Sequence, residues 1–173
     1  MTAIHVTSTY NVEATLNAYF KTALQAFTTP SWLTQPVSVV MNTPEVTASL
    51  PAFSFTNISV GAMDIYQGRN AEANTRAMTQ LGILEISAWV TRKNTSWVAQ
   101  LRTMCSMIES AYLDSKGGVI LKDYQSNNAN PSSVAYRIVL NDLDVVVVSN
   151  DPNPDIERRR YLVKYQWTVR SSN

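Results

Sequence analysis

A chain of 173 residues and 19.3 kDa is long enough for one hydrophobic core and short for two, since domains cluster at roughly 100 to 150 residues. Its apolar share is 45%, its charged share 16% and its formal net charge +1, which excludes the broad basic field of a general nucleic-acid binder and makes any basic function local. One cysteine, Cys105, and one histidine, His5, exclude an internal disulfide and a zinc site of the usual Cys/His kind within one subunit.

The opening MTAIHVTSTY has no basic region followed by an apolar core, and no stretch approaches the roughly 20 apolar residues that span a bilayer. Folding in a reducing cytoplasm is therefore expected. In NVEATLNAYFKTALQAF, residues 11–27, Val12, Leu16, Tyr19, Phe20, Ala23, Leu24 and Phe27 recur at three- and four-residue steps, which predicts an amphipathic helix. Thr28, Thr29 and Pro30 end it, because proline disfavours helical geometry before it and supplies no amide hydrogen.

Residues 30–51 carry Pro30, Pro36, Pro44 and Pro51 around one β-prone run, VSVVM at 37–41, so an edge strand within irregular chain is expected. AFSFTNISV, from Ala52 to Val60, reads as a strand with a bulge. QGRNAEANTRAMTQLG, residues 67–82, is polar with little apolar periodicity and reads as a surface loop carrying Arg69 and Arg76. ILEISAWVTR, residues 83–92, alternates Leu84, Ile86, Ala88 and Val90 with Glu85, Ser87, Trp89 and Thr91, which predicts a strand.

A second helix is expected from about Ser96, capped by Asn94 or Thr95. Its stripe is Trp97, Leu101, Met104, Cys105, Ile108, Ala111 and Tyr112, with Gly117 and Gly118 at the left-handed stop. Cys105 on that stripe reads as a buried structural thiol. Four strands follow: GVILKDY at 118–124, VAYRIVL at 134–140, DLDVVVV at 142–148 and RYLVKYQWTV at 160–169, with a polar loop QSNNANPSS after the first. In the last strand Tyr161, Val163, Tyr165, Trp167 and Val169 share the face that must cover a core. The elements sum to one α+β domain over residues 1–173, a mixed or antiparallel sheet of about five strands covered by two amphipathic helices.

The sequence offers little for bond chemistry. There is no Walker loop, dinucleotide fingerprint, HExxH pair or GxSxG elbow. A triad would need His5, which has no predicted anchoring element. Asp142 with Asp144, which alternate onto one face of a strand, or Asp151, Asp155 and Glu157 near the last strand's entrance, could supply paired carboxylates, but a solvated turn rich in aspartate, proline and asparagine is the favoured reading. No catalytic residue, metal ligand or cofactor-binding residue is assigned, and no cofactor is expected.

The informative cluster is DIERRRYLVKYQWTVR. Arg158, Arg159 and Arg160 could contact phosphates and the aromatic residues could stack on bases, but Tyr161, Tyr165 and Trp167 interleave with valines as a core face does. At the entrance of an extended strand the three arginines alternate sides, with Arg159 opposite Arg158 and Arg160. Each guanidinium can grip a carboxylate in a planar, bidentate contact. With Asp155 and Glu157 alongside, the expectation is an ion-paired contact between subunits.

An N-terminal helix, the strand ILEISAWVTR, the helix WVAQLRTMCSMIESAYLDS, the strand GVILKDY and the terminal IERRRYLVKYQWTV together resemble the tail-terminator, or tail-completion, proteins of long-tailed bacteriophages. That resemblance implies a non-enzymatic virion protein whose hexameric ring caps the tail tube, stops its polymerisation and offers a docking surface to the head connector. It implies a position at the head-proximal end of the tail, after assembly in the host cytoplasm, with the tail-tube protein, the connector protein and further copies of the chain as partners. DNA would pass through the lumen without sequence recognition, and Arg158, Arg159, Arg160, Glu157, Asp155, Arg69 and Arg76 are the interface or docking candidates. A head-tail connector or neck protein is the alternative reading, and a small-ligand binding module or an enzyme a more distant one.

Overall fold

The computed structural model describes residues 8–38, 50–58, 63–64, 76–147 and 153–171. Helix α1 spans Thr9–Ala26, and Ser8 caps it by accepting the Asn11 N–H at 3.4 Å. Val12, Leu16, Phe20 and Leu24, each four residues from the next, are all buried, each worth roughly 1.5–3 kcal/mol of removal from water. Helix α2 spans Trp97–Asp114 and buries Leu101, Met104, Met107, Ile108 and Ala111. Asn94 accepts the Ser96 N–H ahead of it. The stop after α2 places Lys116 (φ 50°) and Gly117 (φ 77°) in the left-handed region, one position earlier than the expected glycine pair, and Gly118 already opens the next strand.

The sheet runs in the order β1-β2-β4-β7-β6-β5, with β1 at Val37–Ser38, β2 at Ala52–Ile58, β4 at Arg76–Thr91, β5 at Gly118–Asp123, β6 at Ser132–Val147 and β7 at Ile156–Ser171. β2, β4, β7, β6 and β5 pair antiparallel throughout. The two-residue β1 lies parallel to β2, and a short β3, Met63–Asp64, pairs with β4 beyond the end of β2. This is the expected α+β arrangement. Both helices cover one face, whose inward row includes Leu84, Ile86, Ala88 and Val90 of β4 and Tyr161, Val163, Tyr165 and Trp167 of β7.

Three local expectations change. Of the segment read as a loop, residues 76–82 continue β4 and pair with Gln166–Ser171 and Tyr165 of β7, and residues 67–75 lie outside the described residues. Gly82 is required there: a Cβ on it would lie 2.3 Å from Cζ of the buried Tyr165 ring. The two strands expected at 134–140 and 142–148 are one strand, β6, with a register shift between Leu140 and Asp142 against β7. Finally, β7 begins at Ile156, so the arginines stand inside a central strand and not at its entrance, with Arg159 and Arg160 paired to β4 on one side and β6 on the other.

The expected run VSVVM is described only at Val37–Ser38, and most of the proline-bearing stretch lies outside the described residues. His5, Arg69 and Asp151 also lie outside them, as does the side chain of Arg76.

Candidate functional site: the arginine face of the sheet

The face of the sheet turned from the helices is where the arginine cluster works. On β4 its row is Glu85, Ser87 and Trp89, which the alternation assigns to a polar face, yet these residues are only 3%, 0% and 3% exposed. Register explains why. Arg160 stands opposite Ser87 and Arg158 opposite Trp89, so two long side chains fold over the β4 row and close it from water.

Glu85 is the centre of this arrangement. Arg160 donates to Oε2 of Glu85 through Nε at 2.8 Å and again through Nη2. Arg158 donates to Oε1 through Nη2, and its Nε donates to Ser87 Oγ at 3.1 Å. The Ser87 hydroxyl itself donates to Glu85 Oε1 at 3.0 Å. Each carboxylate oxygen is therefore held by a separate guanidinium through charge-assisted hydrogen bonds, the stronger class of such bonds. Burial pushes the Glu85 carboxyl up, but the hydrogen bonds from Arg160 and Ser87 and the charges of Arg158 and Arg160 outweigh it and hold it below its ordinary value.

Arg158 is also fixed from beneath. Its guanidinium carbon lies 4.3 Å from the centroid of the Trp89 ring, a cation–π contact, and the Trp89 Nε1–H donates to Ser54 Oγ of β2 at 2.8 Å. The cluster thus ties β2, β4 and β7 across one face. Farther along the same face, Lys164 of β7 reaches Asp142 at 3.3 Å and Asp144 at 2.5 Å on β6. Counting these pairs, Arg158, Arg160 and Lys164 give +3 and Glu85, Asp142 and Asp144 give −3, a sum of zero.

The remaining candidates separate. Arg159 points to the helix side, as the alternation requires: it stands opposite Ala88, and its Nε is buried without a hydrogen-bond partner. Nearby, the Tyr161 hydroxyl donates to Glu109 of α2 at 2.7 Å. Burial raises the Cys105 thiol against the opposing Tyr161 hydrogen bond and Arg159 charge, which disfavours the nucleophilic thiolate. Cys105 is half-buried and packed against the core. Glu157 pairs with Arg92, and Asp155 with Lys93 at 2.9 Å, joining the start of β7 to the chain leaving β4. Asp142 and Asp144 form no catalytic pair, because Lys164 lies against both in an exposed setting.

Sequence reasoning found the arginines but missed their acid. The signal was present: Glu85 is the single charge in ILEISAWV, a strand whose other outward residues are serine and tryptophan. Among the described residues no group of three or more His, Cys, Asp or Glu could hold a metal ion.

No family model matches the chain, and no curated protein matches it. Among solved structures it is similar to a chain of the virion of a native gene transfer agent particle, at 14% identity and a TM-score of 0.46 over 94% of this chain and 100% of that one.

Proposed function

We propose that the chain is a structural subunit of a phage-like virion, forming a ring that caps the tail tube, ends its polymerisation and receives the head connector. The sequence resemblance suggests the role, and the arginine face is the observation that carries it. That face presents long strands with no helix over them, and the six charged side chains that meet across its β4, β7 and β6 rows cancel in pairs. A surface of this kind suits the wall of a conduit. Along these ion pairs it offers DNA no net positive charge, so the polymer is not held there by the counterion release that drives tight phosphate binding.

Ring closure would use a heterologous, head-to-tail contact, in which one subunit's patch meets a different patch on the next. Arg158 and Arg160 retain 22% and 29% side-chain exposure, so their outer edges can still accept a carboxylate from a neighbour or a docking protein. Arg159, turned to the helix side, is assigned no part in that contact. Asp155 and Arg92, exposed around the half-buried Glu157, form a second cluster for docking at the β4–β7 end.

The test is assembly. Purified protein should run as a hexamer by light scattering, alone or with the tail-tube protein, and particles lacking it should carry overlong tubes. A strict monomer that leaves tube length unregulated would overturn the reading, and complete tails unattached to filled heads would point to a connector or neck role.

A further inference from the structure

A second surface lies at the β5 end of the sheet and shares no residue with the Glu85 and Lys164 clusters. Helix α1, the turn after α2 and strand β5 enclose an open groove of about 650 Å³. Its floor is apolar where Ala18 and Tyr19 of α1 face Val119 and Ile120 of β5, and Ile120 is 49% exposed. Lys116, Lys122 and Arg137 line the same groove, with Asp114 as the one acid. Three positive charges against one negative give +2, more than the +1 of the entire chain.

These cations, like Lys21, Arg102 and Arg159, differ in state from those of the ion pairs already described. Arg92, Lys93, Arg158, Arg160 and Lys164 are each paired with an acid of this chain. Lys116, Lys122 and Arg137 form no ion pair among the described residues. Unpaired cations around an apolar floor are complementary to a segment that carries both acids and an apolar anchor.

We infer that this groove docks an acidic peptide segment of another protein, seated by apolar side chains on the floor and by carboxylates on Lys116, Lys122 and Arg137. A second copy of this chain would have to present an acid outside its own ion pairs, because Glu85, Asp142, Asp144, Asp155 and Glu157 already hold cations of their own subunit. A nucleic-acid backbone would meet the cations but has no apolar side chain for the floor. The segment is recognised through side chains and does not add as a strand along all of β5: the Thr15 hydroxyl takes the Lys122 N–H at 3.0 Å and donates to the Lys122 carbonyl at 3.5 Å, closing that part of the edge.

The groove belongs to the single subunit, so its occupancy can be measured whether or not subunits close into a ring. The probe is a short synthetic peptide alternating glutamate and leucine, titrated into the full-length, isotope-labelled protein and followed by amide chemical shifts. Saturable shifts at Thr22, Val119 and Ile120 are expected. Replacing Lys116, Lys122 and Arg137 together with Gln should weaken binding at least about tenfold, and Ile120→Ser should weaken it several-fold while leaving the cations in place. Both variants change exposed side chains, and unaltered melting curves would show that folding is intact. Absence of binding, equal binding of a glutamine–leucine peptide, unchanged affinity in the triple variant, or equal shifts with duplex DNA would each overturn the inference.

Discussion

Arg160 places its Nε 2.8 Å from a carboxylate oxygen of Glu85, and Glu85 is 3% exposed. The relation makes the arginine cluster a folding element before it is anything else. A buried acid must keep its counter-charges, because desolvation of an unpaired carboxylate costs several kcal/mol.

Removing both counter-charges should therefore destabilise the fold. Arg158→Ala with Arg160→Ala strands Glu85, and the expected loss is about 3 kcal/mol, toward the low end for a broken buried pair because the guanidiniums keep some contact with water. Adding Glu85→Leu to that double variant should recover most of the loss. Urea unfolding of the three proteins measures both steps, and a double variant with an unchanged midpoint would show that the pairing contributes nothing. Assembly defects of arginine variants should accordingly be judged at temperatures where the subunit remains folded.

The same carboxylate predicts a pH dependence. The folded-state value of Glu85 is depressed, so its contribution is fully present above the ordinary carboxylate value of roughly 4. It is lost as pH falls from there through the lower folded-state value. Wild-type protein should lose melting temperature across that acid window faster than Glu85→Gln, whose side chain does not titrate. Parallel melting curves from neutral to acid pH would remove Glu85 as a source of acid lability.

Gly82 carries a steric prediction. Tyr165 is 1% exposed and stacks on Trp167 with ring centroids 5.6 Å apart, so it has little room to retreat from a new methyl group. Gly82→Ala should destabilise by about 1–3 kcal/mol, the usual range for overpacking a filled core, and should alter the near-ultraviolet dichroism of the aromatic cluster. An unchanged spectrum and denaturation midpoint would mean that the tyrosine ring moves freely.

Much of this fold was legible because the core rows obey simple periods. Val12, Leu16, Phe20 and Leu24 mark a helix, and Tyr161 to Trp167 mark a strand, through burial on one side alone. Residues 76–82 were not legible as a strand. Their sequence RAMTQLG has no apolar alternation, and Gly82, which usually weakens a strand, is there to admit the Tyr165 ring. The site was half legible: alternation sent Arg159 away from its neighbours, but the pairing of β7 with β4 that delivers Glu85 joins residues about 75 positions apart. No local pattern reports such a contact.

Asn11 gives the last prediction, because it shows how α1 protects the sheet edge. It is fully buried, and its Oδ1 accepts the N–H groups of Tyr124 at 2.9 Å and Gln125 at 3.1 Å, while its Nδ2 donates to Asp123 at 3.1 Å. Four residues on, one turn along the helix, Thr15 takes the N–H of Lys122. These side chains satisfy backbone groups at the end of β5 and occupy positions where another strand could pair, a recognised guard against edge-to-edge aggregation. Asn11→Leu keeps the approximate volume but leaves the partly buried Tyr124 N–H without its acceptor and Asp123 without the Asn11 amide, so it should cost about 1–3 kcal/mol. Loss of the guard adds a second signature, concentration-dependent aggregation on mild heating. Thr15→Val should show the same signature with a smaller loss of stability. Denaturant midpoints and light scattering measured together separate the two effects: lost stability without aggregation would leave Asn11 as a buried hydrogen-bonding group only, whereas both together would establish α1 as the cover of this edge.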